Sequence, residues 1–300
     1  MSALLRRLDA NRPALWLEVA PPRGIAVESM LTRLGAVRSH VDVINLADNA
    51  LGRVKLSPLV FGAMVKSRFG MAVAINFSCR DRNRYALKAD LLGAGALGID
   101  AVVALAGDKL AADPEGARAV HDLNPFSLLR MMNDLRGGDT GEGRRLLKTL
   151  PQFAIGAVAN PNRKDAEREA ELLERKALAG AEFVITQPVF DQVVARAFIA
   201  RARRHKLRVV LGILPVKRES MASYLKDRIP DLAGARQHFD RYTGVGEEQA
   251  RRMSIDAGVA LMRALADEVA GFNIMSGGGP SLAIELALEF SRFLEGSSGR

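Results

Sequence analysis

The sequence has 300 residues, 48% of them hydrophobic and only 5% aromatic, with 43 basic against 34 acidic side chains for a net charge of +9. No run reaches the ~18 apolar residues of a membrane span, and the first nine residues carry two arginines and an acid where a signal peptide would be apolar. One cysteine (Cys79) excludes an internal disulfide, and four scattered histidines argue against a metal site, so a cytoplasmic protein with no metal and no membrane role is expected.

Short aliphatic runs recur in order: Leu15–Ala20, Val41–Ala47, Ala72–Ser78, Ala101–Ala106, Phe153–Ala159, Phe183–Gln187, Arg208–Leu214 and Gly271–Met275. Most are continuously apolar, as suits strands buried on both faces. Between them lie helical patterns, notably Arg82–Gly98, Asp165–Ala181 with Asn162 and Gly180 as its expected caps, Glu247–Val269 and Ser281–Leu294. Strand–helix alternation repeated eight times predicts a single (β/α)₈ TIM barrel spanning residues 1–300. Two long irregular segments interrupt it. Asp108–Asn124 falls on the active face as a candidate lid or cofactor clamp, and Gly137–Pro151 falls on the opposite face.

Gly93-Ala94-Gly95-Ala96-Leu97-Gly98 has the letters of a dinucleotide fingerprint, but a helix precedes it and a strand follows. The fingerprint needs the reverse order to aim amide groups at a pyrophosphate, so these glycines are read as a helix end packed on the barrel. Arg201, Arg203, Arg204, His205 and Lys206 form the densest basic run, at a helix C-terminus with no interleaved aromatics, which gives no footprint for nucleic acid.

The strand ends hold the polar residues: Glu18, Asn45 and Asp48, Asn76 and Ser78, Asp108, Asn160 and Asn162, then Thr186 and Gln187. Barrel enzymes assemble their sites on this rim. Glu18 lies inside an otherwise apolar strand. Aimed into a barrel mouth it loses water and can hold a proton near neutral pH, whereas at an exposed edge or paired with Arg23 it would be an ordinary surface acid. Ser276-Gly277-Gly278-Gly279-Pro280 after the eighth strand is either a phosphate cradle or a plain turn.

Taken in order, several stretches resemble the methylenetetrahydrofolate reductase family, especially the reductase modules fused to homocysteine methyltransferases. They are Leu17-Glu18-Val19-Ala20-Pro21-Pro22-Arg23, Asn45-Leu46-Ala47-Asp48-Asn49, Cys79-Arg80-Asp81-Arg82-Asn83, Ala104-Leu105-Ala106-Gly107-Asp108, Asn160-Pro161-Asn162, Thr186-Gln187-Pro188-Val189-Phe190 and Gly212-Ile213-Leu214-Pro215-Val216. The resemblance implies a barrel that holds FAD at its strand ends, reduced by NADH or NADPH and reoxidised by a folate. It assigns Glu18 as the acid that protonates the folate and Asp108 as a second catalytic group near flavin and pterin. It places Gln187 on the folate, Lys176 beside the flavin's chain, and Asn45, Asn76, Ser78, His121, Asn160 and Glu169 along the cofactor groove. A homo-oligomer, and a methyltransferase as partner, are further implications.

The chain departs from the family pattern where Asn76 replaces a common His and Ala106 an Arg or Thr. Those departures leave room for FMN in place of FAD, for a reductase without flavin, and for a non-catalytic folate- or flavin-binding subunit. An aldolase or corrinoid-linked methyltransferase on the same fold would need a strand-end lysine or a cobalamin site; Lys109 falls in the loop instead.

Overall fold

Parallel strands buried on both faces need a helical cover, and the chain supplies one after each strand. The computed structural model describes residues 2–108, 116–141, 148–277 and 279–297. Its strands are β1 (Ala14–Val19), β2 (Val43–Leu46), β3 (Ala72–Ser78), β4 (Ala101–Leu105), β5 (Ala154–Ala159), β6 (Phe183–Pro188), β7 (Arg208–Ile213) and β8 (Gly271–Met275). Each pairs in parallel with the next, and β8 returns to β1 through Ala14–Gly271 and Trp16–Asn273, closing an eight-stranded barrel. The helices are α1 (Ala3–Leu8), α2 (Glu28–Ala36), α3 (Pro58–Phe69), α4 (Arg84–Ala96), α5 (Pro125–Arg136), α6 (Ala166–Leu178), α7 (Gln192–Arg204), α8 (Glu219–Arg228), α9 (Arg236–Asp240), α10 (Glu247–Leu265) and α11 (Ser281–Ser297). Among the described residues no helix is long and apolar enough to cross a membrane.

Local chemistry sets the helix starts. Asn83 accepts from Ala86 N, Asn124 and Ser127 form a reciprocal capping box ahead of Pro125, and Asp191 accepts from Val193 N and Val194 N. Asp165, not Asn162, caps α6; the Asn162 amide donates instead to Pro188 O at 2.8 Å, tying the β5 loop to the end of β6. The glycine-rich stretch closes α4: Gly98 is left-handed (φ +65°), and a side chain on Gly95 would meet Pro151 at 3.0 Å.

Alternation along each strand separates two cores. Outward residues such as Leu15, Leu17, Ile44, Val73 and Phe272 pack against the helices. Inward residues Trp16, Val43, Ala74, Val103, Phe183, Ile185 and Val210 fill the barrel, with Trp16 and Phe183 in ring contact at 5.6 Å. Leu4, Leu5 and Leu8 of α1 join this inner cluster and plug the N-terminal end. Of the barrel's two ends, the C-terminal mouth is the one left open to a ligand.

The strands lie within two residues of their sequence expectation at each end. Residues 216–246 were unassigned by pattern; they form α8, α9 and the 3₁₀ turn Pro230–Ala235. These pack a satellite core of Val216, Leu225, Leu232, Phe239 and Tyr242 over the β7 side of the mouth. The irregular segments expected at Asp108–Asn124 and Gly137–Pro151 lie partly outside the described residues.

One irregularity shapes the mouth. Ile185 pairs with Val210 but Pro188 with Gly212, so β6 carries an extra residue at Thr186–Gln187. Thr186 Oγ1 accepts from the Gly212 N–H at 2.8 Å. A side chain on Gly212 would stand 2.4 Å from Thr186 O, a backbone atom that cannot swing away, and 2.9 Å from Met275 Cε. Gly212→Ala is therefore expected to destabilise the fold by about 1–3 kcal/mol in urea unfolding. An unchanged midpoint would show that the bulge gives way at no cost.

Candidate functional site

The inward alternation of β1 that buries Trp16 delivers Glu18 one layer higher, at the base of the mouth. Glu18 is half-buried and enclosed by protein. Its Oε2 accepts from Asn273 Nδ2 at 2.7 Å and from Asn45 Nδ2 at 3.3 Å, and Asn45 Nδ2 also faces Asn273 Oδ1 at 3.2 Å. Both asparagines are fully buried, and Asn45 Oδ1 has no partner. Burial pushes the Glu18 carboxyl above its ordinary range, and the bond from Asn273 only partly offsets this. Arg23 is exposed and does not pair with Glu18, so the surface-acid alternative falls away.

The β2–β4 side of the rim is tied down. Arg80, almost fully buried, holds Asp81 through two nitrogens at 2.5 and 2.7 Å and donates to Asp108 O at 2.9 Å and Asn49 O at 3.2 Å. Asp48 accepts from Ser78 N at 2.9 Å and pairs with Arg82 at 2.6 Å. Ser78 Oγ accepts from Arg80 N at 3.0 Å, which ties it to the loop's own backbone. The Asp108 carboxylate accepts from Leu51 N at 2.7 Å, in a short turn where both Asn49 and Leu51 are left-handed (φ +43° and +59°). Asn76 is half-buried, follows Ala74 on the inward face, and makes no side-chain hydrogen bond among the described residues.

The β5–β8 side is open. A cavity of about 650 Å³ lies there, within the usual range for small-ligand sites. Val158, Leu214, Met221, Leu225 and Met275 give it apolar walls, and Asn160, Lys176 and Gln187 are among its polar groups. Glu169 lies at its edge with both oxygens engaged, by Asn160 N at 3.0 Å and Arg163 Nε at 2.8 Å. Lys176 Nζ stands 3.8 Å from Glu169; burial pulls its ammonium below the ordinary range, opposed by that carboxylate. Met275 is both a wall of the cavity and the register partner of Glu18, so the acid stands beside it.

Asn160, Glu169, Lys176 and Gln187 thus share one cavity, and Asn45 joins Glu18 at its edge. Asp108 is across the rim, linked to the cavity through Leu51. His121 is exposed, left-handed (φ +49°) and outside the cavity, because its loop runs past Arg80, whose carbonyl accepts from Val120 N. The structure does not bring His121 to this cavity. Sequence reasoning missed Asn273, although a lone amide inside Gly271-Phe272-Asn273-Ile274-Met275 was a visible signal. It also missed the α8 wall, which had no periodic signature. A second cavity of about 360 Å³ opens behind β6 and β7 beside Phe190 and His238. Burial lowers the His238 ring to about 4, so it stays neutral, and it stacks on Phe190 at 4.8 Å.

A Clostridium thermocellum protein described as binding two copies of 5-methyl-5,6,7,8-tetrahydrofolic acid has a similar structure, with a TM-score of 0.63, 13% identity, and coverage of 97% of this chain and 99% of that one. An Aquifex aeolicus protein (TM-score 0.53, 11% identity, 97% and 98% covered) and Mycobacterium tuberculosis tryptophan synthase (0.52, 12%, 97% and 98%) are also similar. At such identities the likeness extends to the fold alone. No curated protein sequence matches. The family model described as methylenetetrahydrofolate reductase matches residues 3–276, and the chain belongs to that family.

Proposed function

We propose that this protein reduces 5,10-methylenetetrahydrofolate to 5-methyltetrahydrofolate, with a reduced nicotinamide as hydride source and Glu18 as general acid. The observation that carries this reading is the dehydrated Glu18 carboxyl at the floor of the mouth, next to an apolar cavity with amide groups on its wall. Family membership and the folate bound by the Clostridium thermocellum protein support it.

The chemistry asks little of the protein. A proton from Glu18 to N10 of the folate breaks the N10–methylene bond, and the resulting iminium at N5 accepts a hydride to become the methyl group. Glu18 then recovers its proton from water at the mouth. Gln187, exposed in the cavity, would hydrogen-bond the pterin, and Asp108 would orient the ligand from the opposite rim.

The family implies a flavin, and the amides of Asn76 and Gln187, which make no side-chain hydrogen bond among the described residues, would be suitable partners for its ring. Asn160 and Lys176 would lie along its chain. When bound, a flavin would carry the hydride between nicotinamide and folate. A second reading dispenses with it, and one observation favours that reading. Three arginines of the rim are already engaged, Arg80 on Asp81, Arg82 on Asp48 and Asp90, and Arg163 on Glu169, which leaves a diphosphate to other cations. Hydride would then pass directly from nicotinamide to folate.

Purified protein should oxidise NADH or NADPH only when methylenetetrahydrofolate is added, and its visible spectrum separates the two readings. No folate-dependent oxidation, with or without added FAD or FMN, overturns the proposal. Glu18→Gln is expected to lower folate reduction by about 10²–10⁴-fold. Because the reactive form is the protonated one, wild-type kcat/KM should fall as pH rises through the elevated Glu18 value, and the variant should lose that limb.

Stability provides a test without substrate. A carboxyl raised in the fold favours the native state below its unfolded value, near 4.5, and that contribution is lost as pH climbs through the folded value. Glu18→Gln should therefore have a higher Tm than wild type at pH 8, with the gap closing at pH 4. An equal or lower Tm at pH 8 would contradict the burial of this group.

A further inference from the structure

Two features of the mouth are not used by the reaction as described. Asn273 is wholly buried inside β8, and Asn45 is buried beside it on β2, although neither position needs a polar group to hold the barrel together. Both amides converge on one oxygen of Glu18. Oε2 receives N–H groups from Asn273 at 2.7 Å and Asn45 at 3.3 Å, while Oε1 has no hydrogen-bond partner among the described residues.

That asymmetry decides where a proton can sit. A carboxylic acid carries its hydrogen on one oxygen only, and an oxygen already accepting two N–H bonds is the unfavourable choice, since a third hydrogen would point at two donors. The Asn273 amide is itself held in this orientation, because its Oδ1 accepts from Asn45 Nδ2 at 3.2 Å. We infer that Asn273, braced by Asn45, is the positioning residue of the acid: it fixes Oε2 as an acceptor, so that the transferable proton rides on Oε1 and faces the ligand.

The inference rests on Glu18 being the acid of the proposed reaction, and it adds which of its oxygens delivers the proton. Accessibility agrees. Glu18 is half-buried whereas both amides are closed off, so the open side of the carboxyl is the one turned away from them. The groups facing Glu18 from β2 and β8 are Asn45, Asn273 and Met275, none of them ionisable, so a change at Asn273 is read without interference from a neighbouring charge.

The sign of a titration tests this. Asn273→Leu keeps the shape and removes the amide without making room for water. In protein carrying ¹³C-labelled glutamate carboxyls, with the Glu18 signal identified by its loss in Glu18→Gln, the wild-type midpoint should move up by about one pH unit or more in Asn273→Leu. The carboxylate has then lost a charge-assisted donor. A midpoint that falls would mean that Asn273 accepts the proton with its amide turned over, and one that stays would mean that it does not act on Glu18; either overturns the proposal. Should Asn273→Leu not fold, Asn45→Leu gives the same sign with a smaller displacement, as befits its longer bond. In turnover, Asn273→Leu should lose about 10–100-fold in kcat with the KM for the nicotinamide unchanged, as for a misaimed group. The titration needs no substrate. It therefore judges the proton's placement even if the protein reduces no folate, an outcome that would count against the proposed reaction instead.

Discussion

A carboxyl group cannot be moved from water into a barrel interior without losing its hydration, and the rest of the site is arranged around that loss at Glu18. The layer beneath is solid, with Trp16 and Phe183 in contact and the leucines of α1 closing the far end. Water can reach Glu18 only from the mouth. Two buried amides offset part of the dehydration, and they do so at a cost: Asn45 Oδ1 is left without a partner, a deficit worth about 1–3 kcal/mol. A barrel built for stability alone would place aliphatic residues at these three positions.

The mouth divides into two unlike halves. On the β2–β4 side, Arg80, Arg82, Asp48 and Asp81 bind three loops to one another and leave little freedom. On the β5–β8 side, apolar residues from α8 and the following turn wall a cavity whose polar groups are few. Rigid charge on one side and an apolar-walled pocket on the other suit a flat, largely apolar ring system, as the proposed reaction requires. Between the halves runs the turn carrying Leu51, held to Asp108 in a backbone conformation that a β-substituted residue seldom adopts.

The barrel was legible because its strands are doubly buried and therefore continuously apolar, and because the glycines ending at Gly98 mark a helix end. Glu18 could be read for the same reason, as an ionisable residue in an apolar run. Asn273 carried the same signal in a run of five and was passed over, since strand pattern says nothing about which inward residues meet across the barrel. The α8–α9 segment was hidden more deeply. It packs a small separate core, so its apolar residues follow no long helical stripe. His121 lies away from the cavity because a loop's path depends on what it binds, here the carbonyl of Arg80, and sequence order alone does not supply that contact. Asn162 was misread for a related reason: its partner, Pro188 O, lies on the neighbouring strand.

The chain contains a single tryptophan, and it lies two residues before the acid, inside the barrel, with its indole nitrogen unbonded. An indole in so apolar a setting emits toward the blue, and its light is sensitive to whatever stacks or changes charge in the layer above. Nature has in effect installed an optical probe under the mouth of the barrel. Occupancy of the mouth, and the ionisation of the group at its floor, become readable in unlabelled protein from fluorescence alone.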